Sequence, residues 1–214
     1  MKNIYYKHAL TVIFGFAVSA FSQNTFSGTA IEDLDHFFRD LKTLQADFSQ
    51  VVLDENLSPL EESAGRLWIL RPDQFRWDYH PPFAQQIIAD GSNVWIYDVE
   101  LEQATVREQY GALDGTPALL LSGRGDLELD YYIYDLGLQG PIAWVLLRPK
   151  VSSASFIEVQ LGFQQNILRQ IQLLDSMDHI TRIVLTHVEE NSTIPAKRFS
   201  FSPPAGVDVI TGGL

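Results

Sequence analysis

The sequence predicts a mainly β chain, an antiparallel meander curled into a barrel or half-barrel. Phe75, Trp77 and Tyr79 alternate with Arg76 and Asp78, so one face of that segment is aromatic and the other charged. Trp95 and Tyr97 repeat the alternation after an Asp90-Gly91 turn. Similar short stretches follow almost without a break. They are separated by Arg71-Pro72-Asp73, Pro81-Pro82, Asp90-Gly91-Ser92-Asn93, Gln165-Asn166 and Ser176-Met177-Asp178. Short strands joined by hairpin-length turns pair with their sequence neighbours, and a long meander of them curls.

Taken in order, the chain opens with Lys2 and Lys7, a nearly continuous apolar stretch from Ala9 to Ala20, and small residues at Ser19, Ala20 and Ser22. This is the layout of a secretory signal peptide over residues 1–22, cleaved after Ala20 or Ser22. The stretch is shorter than the ~20 residues of a spanning helix, which disfavours an uncleaved anchor. Residues 23–214 then form one domain. Ile31, Leu34, Phe37, Phe38 and Leu41 recur at helical spacing with charged residues between them, predicting an amphipathic helix from Ile31 to about Leu44. From Leu44 the period becomes two. About eleven strands follow, near 64–70, 74–79, 85–89, 93–98, 102–108, 127–135, 142–148, 155–162, 167–174, 180–188 and 197–201. One segment breaks the pattern. Thr116 is placed as an N-cap, Pro117 in the first turn and Gly123 at the exit, around the all-apolar Ala118-Leu119-Leu120-Leu121. A short helix without a polar face is either a plug at a barrel end or a lid.

The chain contains no cysteine, so its stability rests on the core without disulfides, and it has no cysteine to carry a lipid anchor. Net charge is −12, and nearer −14 once Lys2 and Lys7 are removed with the leader. Such a surface repels nucleic acid and anionic headgroups. Catalytic signals are poor. His36, His80, His179 and His187 show no metal-ligand spacing, and no Gly-x-Ser-x-Gly elbow is present. Gly123-Arg124-Gly125-Asp126 lacks the third glycine of a dinucleotide site, and Asn191-Ser192-Thr193 reads as a polar turn. No cofactor or metal is called for. A lipophilic surface without chemistry points to binding.

The ordered words of the chain resemble the outer-membrane lipoprotein carrier protein LolA family. They are Leu44-Gln45-Ala46-Asp47-Phe48-Ser49-Gln50; then Gly65-x-Leu67-Trp68-x-x-Arg71-Pro72-x-x-Phe75-x-Trp77; then Asp90-Gly91-x-x-x-Trp95-x-Tyr97 and Glu102-Gln103-Ala104. Thr116-Pro117 and Phe199-x-Phe201-x-Pro203-Pro204-x-Gly206-Val207 complete the set. The resemblance implies an incomplete antiparallel barrel whose open side is covered by helices above an apolar cavity. It also implies a monomeric periplasmic carrier. Such a carrier takes outer-membrane lipoproteins from an inner-membrane ABC transporter (LolCDE-like) and hands them to an outer-membrane receptor (LolB-like).

By the same resemblance Arg71 latches the lid by hydrogen-bonding helix backbone, and Phe75 lies at the cavity mouth. Trp68, Trp77, Trp95, Leu119, Leu120 and Leu121 are the further candidates for contact with acyl chains, the tryptophans being equally open to a place in an ordinary core. Two alternatives stand beside this reading: a periplasmic lipid or lipoprotein sensor on the same fold, and a periplasmic hydrolase using a carboxylate pair.

Overall fold

The structure, a computed structural model, describes residues 29–109, 120–123, 126–151 and 156–212. The expected leader, the Thr116 cap and Leu119 lie outside the described residues. The first helix, α1 (Ala30–Asp40), starts at a capping box. The Thr29 hydroxyl accepts from Glu32 N at 3.2 Å, and the Glu32 carboxylate accepts from Thr29 N at 3.0 Å. Glu32 and Asp33 in the first turn face the positive end of the helix dipole. Leu34 and Phe37 are fully buried, each contributing roughly 1.5–3 kcal/mol. The helix ends sooner than its periodicity suggests, because Leu41 is extended and the first strand begins at Thr43.

Among the described residues twelve strands form one sheet. They are β1 (Thr43–Leu53), β2 (Pro59–Leu70), β3 (Gln74–Tyr79), β4 (Gln85–Asp90), β5 (Asn93–Asp98), β6 (Gln103–Glu108), β7 (Tyr131–Gln139), β8 (Ile142–Pro149), β9 (Phe156–Gln164), β10 (Ile167–Asp175), β11 (Ile180–Glu190) and β12 (Asp208–Thr211). Their order is β12-β6-β5-β4-β3-β2-β1-β11-β10-β9-β8-β7. Two meanders, β1–β6 and β7–β11, are thus joined by the antiparallel pair β1–β11, with Phe48 opposite Leu185. Among the described residues β7 and β12 do not pair with one another, so the barrel stays open. A twisted sheet of this width curls, and α1 packs against β7 to β10 on its inner face. There the Phe37 ring meets Phe163 edge-on at 5.9 Å.

Three differences from the expected strands have local causes. Residues 127–130 form one helical turn before β7, because the Asp126 carboxylate caps Glu128 N and Leu129 N at 3.0 and 3.1 Å. The expected strand at 197–201 is instead a 3-10 turn (Ala196–Phe199) followed by irregular chain. Pro195, Pro203 and Pro204 remove ladder donors around it. The last strand is β12, which lies parallel to β6, so the sheet is antiparallel everywhere except at that edge.

The sheet has an apolar cluster on each face. The inner one joins α1 to Leu44, Leu67, Phe75, Trp77, Val145 and Leu161, among others. On the outer face the row Trp68–Arg76–Ile88–Trp95 runs across β2 to β5, and the 3-10 turn packs over β3 and β4. Phe201 stacks obliquely on Trp95 and Tyr97 at 5.3 and 5.4 Å.

Candidate functional site

Arg71 follows the last residue of β2, where it can reach α1 and the segment 120–123 together. Its Nε donates to the Leu121 carbonyl at 3.1 Å. Its Nη1 donates to the carbonyls of Phe37 and Phe38 at 2.8 and 3.1 Å. The guanidinium also lies over both rings, 4.8 Å from Phe37 and 5.0 Å from Phe38. The last carbonyls of a helix have no partner within it. Here Arg71 takes two of them, and Asn191 Nδ2 donates to the Asp40 carbonyl at 3.4 Å. A cation at this end also opposes the helix dipole favourably. Burial pulls the Arg71 guanidinium down to about 10, against an opposing pull from the Glu190 carboxylate. It is therefore charged at any pH near neutrality.

Gly123 closes the contact. Its φ is +75°, and a Cβ there would stand 2.7 Å from Arg71 Cδ and Nε. Leu120 and Leu121 are buried at 3% exposure in the inner cluster, together with Phe75 and Trp77. Phe48 meets Trp77 and Tyr79 edge-on at 5.2 and 5.1 Å.

The structure divides the expected aromatic set between the two faces. Phe75 pairs with Ile69 and Ala89, and Trp77 with Leu67 and Ile87, all on the inner face. Trp68 and Trp95 belong to the outer row, so they do not share a lining with Phe75. Trp68 instead carries Arg66 and Arg198 over its ring at 5.5 and 4.6 Å. Leu119 lies outside the described residues.

Two participants have no local signature in the sequence. The first is the end of α1, bound by Arg71 across more than thirty residues of chain. The second is Glu190, opposite Leu44 in the pairing of β11 with β1. Burial raises the pKa of its carboxyl, offset in part by His36, Arg169 and Arg71. Among the described residues no group of acidic and histidine side chains could hold a metal ion.

At the far end of β3 an open cavity of about 530 Å³ is bordered by Tyr79, Phe83, Gln50, Glu61 and Asp98. Burial first, then the Glu61 carboxylate, push the Tyr79 phenol up to about 12; a hydrogen bond to Gln50 at 3.4 Å opposes them. A phenol with a folded pKa above the unfolded 10 leaves stability intact below about pH 10. That stability is lost as pH rises from 10 towards 12. Urea unfolding at pH 9 and near pH 12 is expected to show a loss of about 2 kcal/mol that the Tyr79→Phe protein lacks. Equal losses in both proteins would show that Tyr79 is not the group responsible.

Residues 39–202 match the family described as Outer membrane lipoprotein carrier protein LolA. An outer-membrane lipoprotein carrier protein of Chromobacterium violaceum is 42% identical over 184 residues, covering 86% of this chain and 88% of its own. One from Methylococcus capsulatus is 44% identical over 176 residues, covering 82% and 85%. Among solved structures, an uncharacterised conserved protein from Thermus thermophilus superposes with a TM-score of 0.56 at 15% identity, over 86% of this chain and 99% of its own. That last likeness speaks to the fold alone. With the family match spanning most of the chain and relatives this close over nearly their full length, the chain belongs to the outer-membrane lipoprotein carrier protein LolA family.

Proposed function

We propose that this protein is a periplasmic carrier of outer-membrane lipoproteins, acting as a one-to-one shuttle and not as an enzyme. It takes them from an inner-membrane LolCDE-like ABC transporter and passes them to an outer-membrane LolB-like receptor. Residues 1–22 serve as the cleaved export signal, and 23–214 as one carrier domain. The observation that carries this reading is Arg71, which clamps the end of α1 and Leu121 together over Phe75 and Trp77.

Each acyl methylene removed from water contributes roughly 0.8 kcal/mol, so a lipoprotein crossing an aqueous space needs an apolar cover. The inner face supplies one. Phe75, Trp77, Leu120 and Leu121 bury one another when empty, and they exchange these contacts for acyl chains when α1 and the 120–123 segment move apart. Trp68 and Trp95 stay on the outer face. Arg71 is the latch. Its bonds hold the empty form shut, and incoming chains displace them.

The test is release of a labelled outer-membrane lipoprotein from spheroplasts or inner-membrane vesicles. ATP-dependent appearance of a soluble one-to-one complex is the expected result. No release, with folded protein and the transporter of the same organism, would move the reading to a lipid sensor or a hydrolase.

A further inference from the structure

The outer face carries a feature that the carrier reading does not use. In a chain with 27 acidic and 15 basic residues, Arg66, Arg76, Lys197 and Arg198 gather around Trp68 and the 3-10 turn. Asp47 stands 3.8 Å from Arg66, and Asp78 binds Arg76 at 2.8 Å, so those two cations are compensated. Lys197 and Arg198 are exposed and have no ion pair among the described residues. They border, with Arg76 and Pro195, a cleft of about 220 Å³.

The cleft is also preorganised. The Arg198 guanidinium rests on the buried Trp68 ring at 4.6 Å, and the Arg198 carbonyl accepts from Arg76 Nη1 at 3.4 Å. Cations already fixed against a ring lose little further freedom when they meet an anion.

We infer that this cleft is a docking point for an acidic segment of a partner protein, read through its carboxylates. Charge complementarity selects that occupant. The two uncompensated cations interrupt a surface with a large acidic excess, and a single carboxylate-bearing segment can reach them within the screening length of about 8 Å. An anionic bilayer would instead have to approach the acidic surroundings as well. Arg76 lies in the outer row while Phe75 and Trp77 point inward, so a partner held here leaves the latch and the inner face unobstructed. The partner could remain attached while cargo enters or leaves.

The experiment uses the purified protein, a fluorescein-labelled polyglutamate peptide and phosphatidylglycerol vesicles. Peptide anisotropy should rise saturably at low salt and fall at high salt. The double reversal K197E/R198E should weaken binding about tenfold or more, whereas K150E/R182E, with the same net charge change elsewhere, should leave it nearly unaltered. Lys197→Glu alone repeats the test without touching the Arg198–Trp68 stack, should the double variant fold poorly. Three results would overturn the inference: absence of saturable peptide binding, binding indifferent to K197E/R198E, or equal weakening by K150E/R182E. Vesicle binding that depends on Lys197 and Arg198, without peptide binding, would assign the cleft to lipid headgroups and would equally overturn it.

Discussion

Replacing Arg71 by leucine is expected to destabilise the empty protein by about 3 kcal/mol and to slow release of bound acyl chains about tenfold or more. The first effect follows from the three carbonyls that lose their donor, those of Phe37, Phe38 and Leu121. A buried acceptor left without a partner costs about 1–3 kcal/mol, and water entering the opened site offsets part of the total. The second effect follows from linkage. Bonds present only in the empty form weaken binding by the same free energy with which they stabilise that form, and about 1.4 kcal/mol corresponds to tenfold. Loss of the latch should therefore tighten the hold on cargo while loosening α1 and residues 120–123. Urea unfolding checks the stability, amide exchange at Leu121 to Gly123 checks the loosening, and transfer of labelled lipoprotein to acceptor membranes checks the release. Arg71→Lys should fall between, because one ammonium lacks the planar fork that serves both elements. Wild-type release by Arg71→Leu, with its stability lowered as expected, would reduce Arg71 to a helix cap without a part in cargo exchange.

Gly65→Ala should be about as damaging, at roughly 3 kcal/mol, for a different reason. Gly65 lies between Phe48 on β1 and Tyr79 on β3. A Cβ at this position would stand 2.0 Å from the Asp78 carbonyl oxygen and 2.7 Å from the Phe48 ring. The carbonyl belongs to β3 and can retreat only if β3 shifts away from β2. The ring is held by its edge-on contacts with Trp77 and Tyr79. Overpacking of a filled core costs about 1–3 kcal/mol even where side chains can adjust, and here backbone must move as well. Gly140→Ala provides the comparison. Nothing lies within 4 Å of that site, so only its φ of +64° is penalised, at about 1 kcal/mol. Equal urea midpoints for the two variants would mean that β2 and β3 separate more easily than this packing implies.

The mainly β architecture is legible in the sequence because alternation and turn chemistry are local. Asp90 shows how directly: its carboxylate accepts from Ser92 N and Asn93 N at 2.8 and 2.7 Å, fixing the turn that its sequence announces. Alternation defines two faces but does not say which one is covered by α1, and for that reason it cannot separate Trp68 and Trp95 from Phe75 and Trp77. Both faces of β2 to β5 are apolar in part, since each has its own cover. The Phe199-x-Phe201 spacing imitates a strand for the same reason, its rings being wanted by the outer cluster and not by a ladder. Arg71 stands out through family resemblance, and its Nε donates to the Leu121 carbonyl. Its hold on α1 is not legible, because a carbonyl at a helix end leaves no trace in residue identity.

The pairing of β1 with β11 sets the order in which this molecule can be assembled. Each meander closes hairpins between neighbours in sequence, but Leu44 must find Glu190 before the two meanders share one core. Joining such distant segments sacrifices chain entropy before any contact is gained, which makes it a slow step. Until β11 has been made, β1 exposes one bare edge, and the strands that α1 covers, β7 to β10, have no link to β1. The two meanders therefore remain separate until residues 180–190 are available, and the contact that unites them is the last of the antiparallel pairings to become possible.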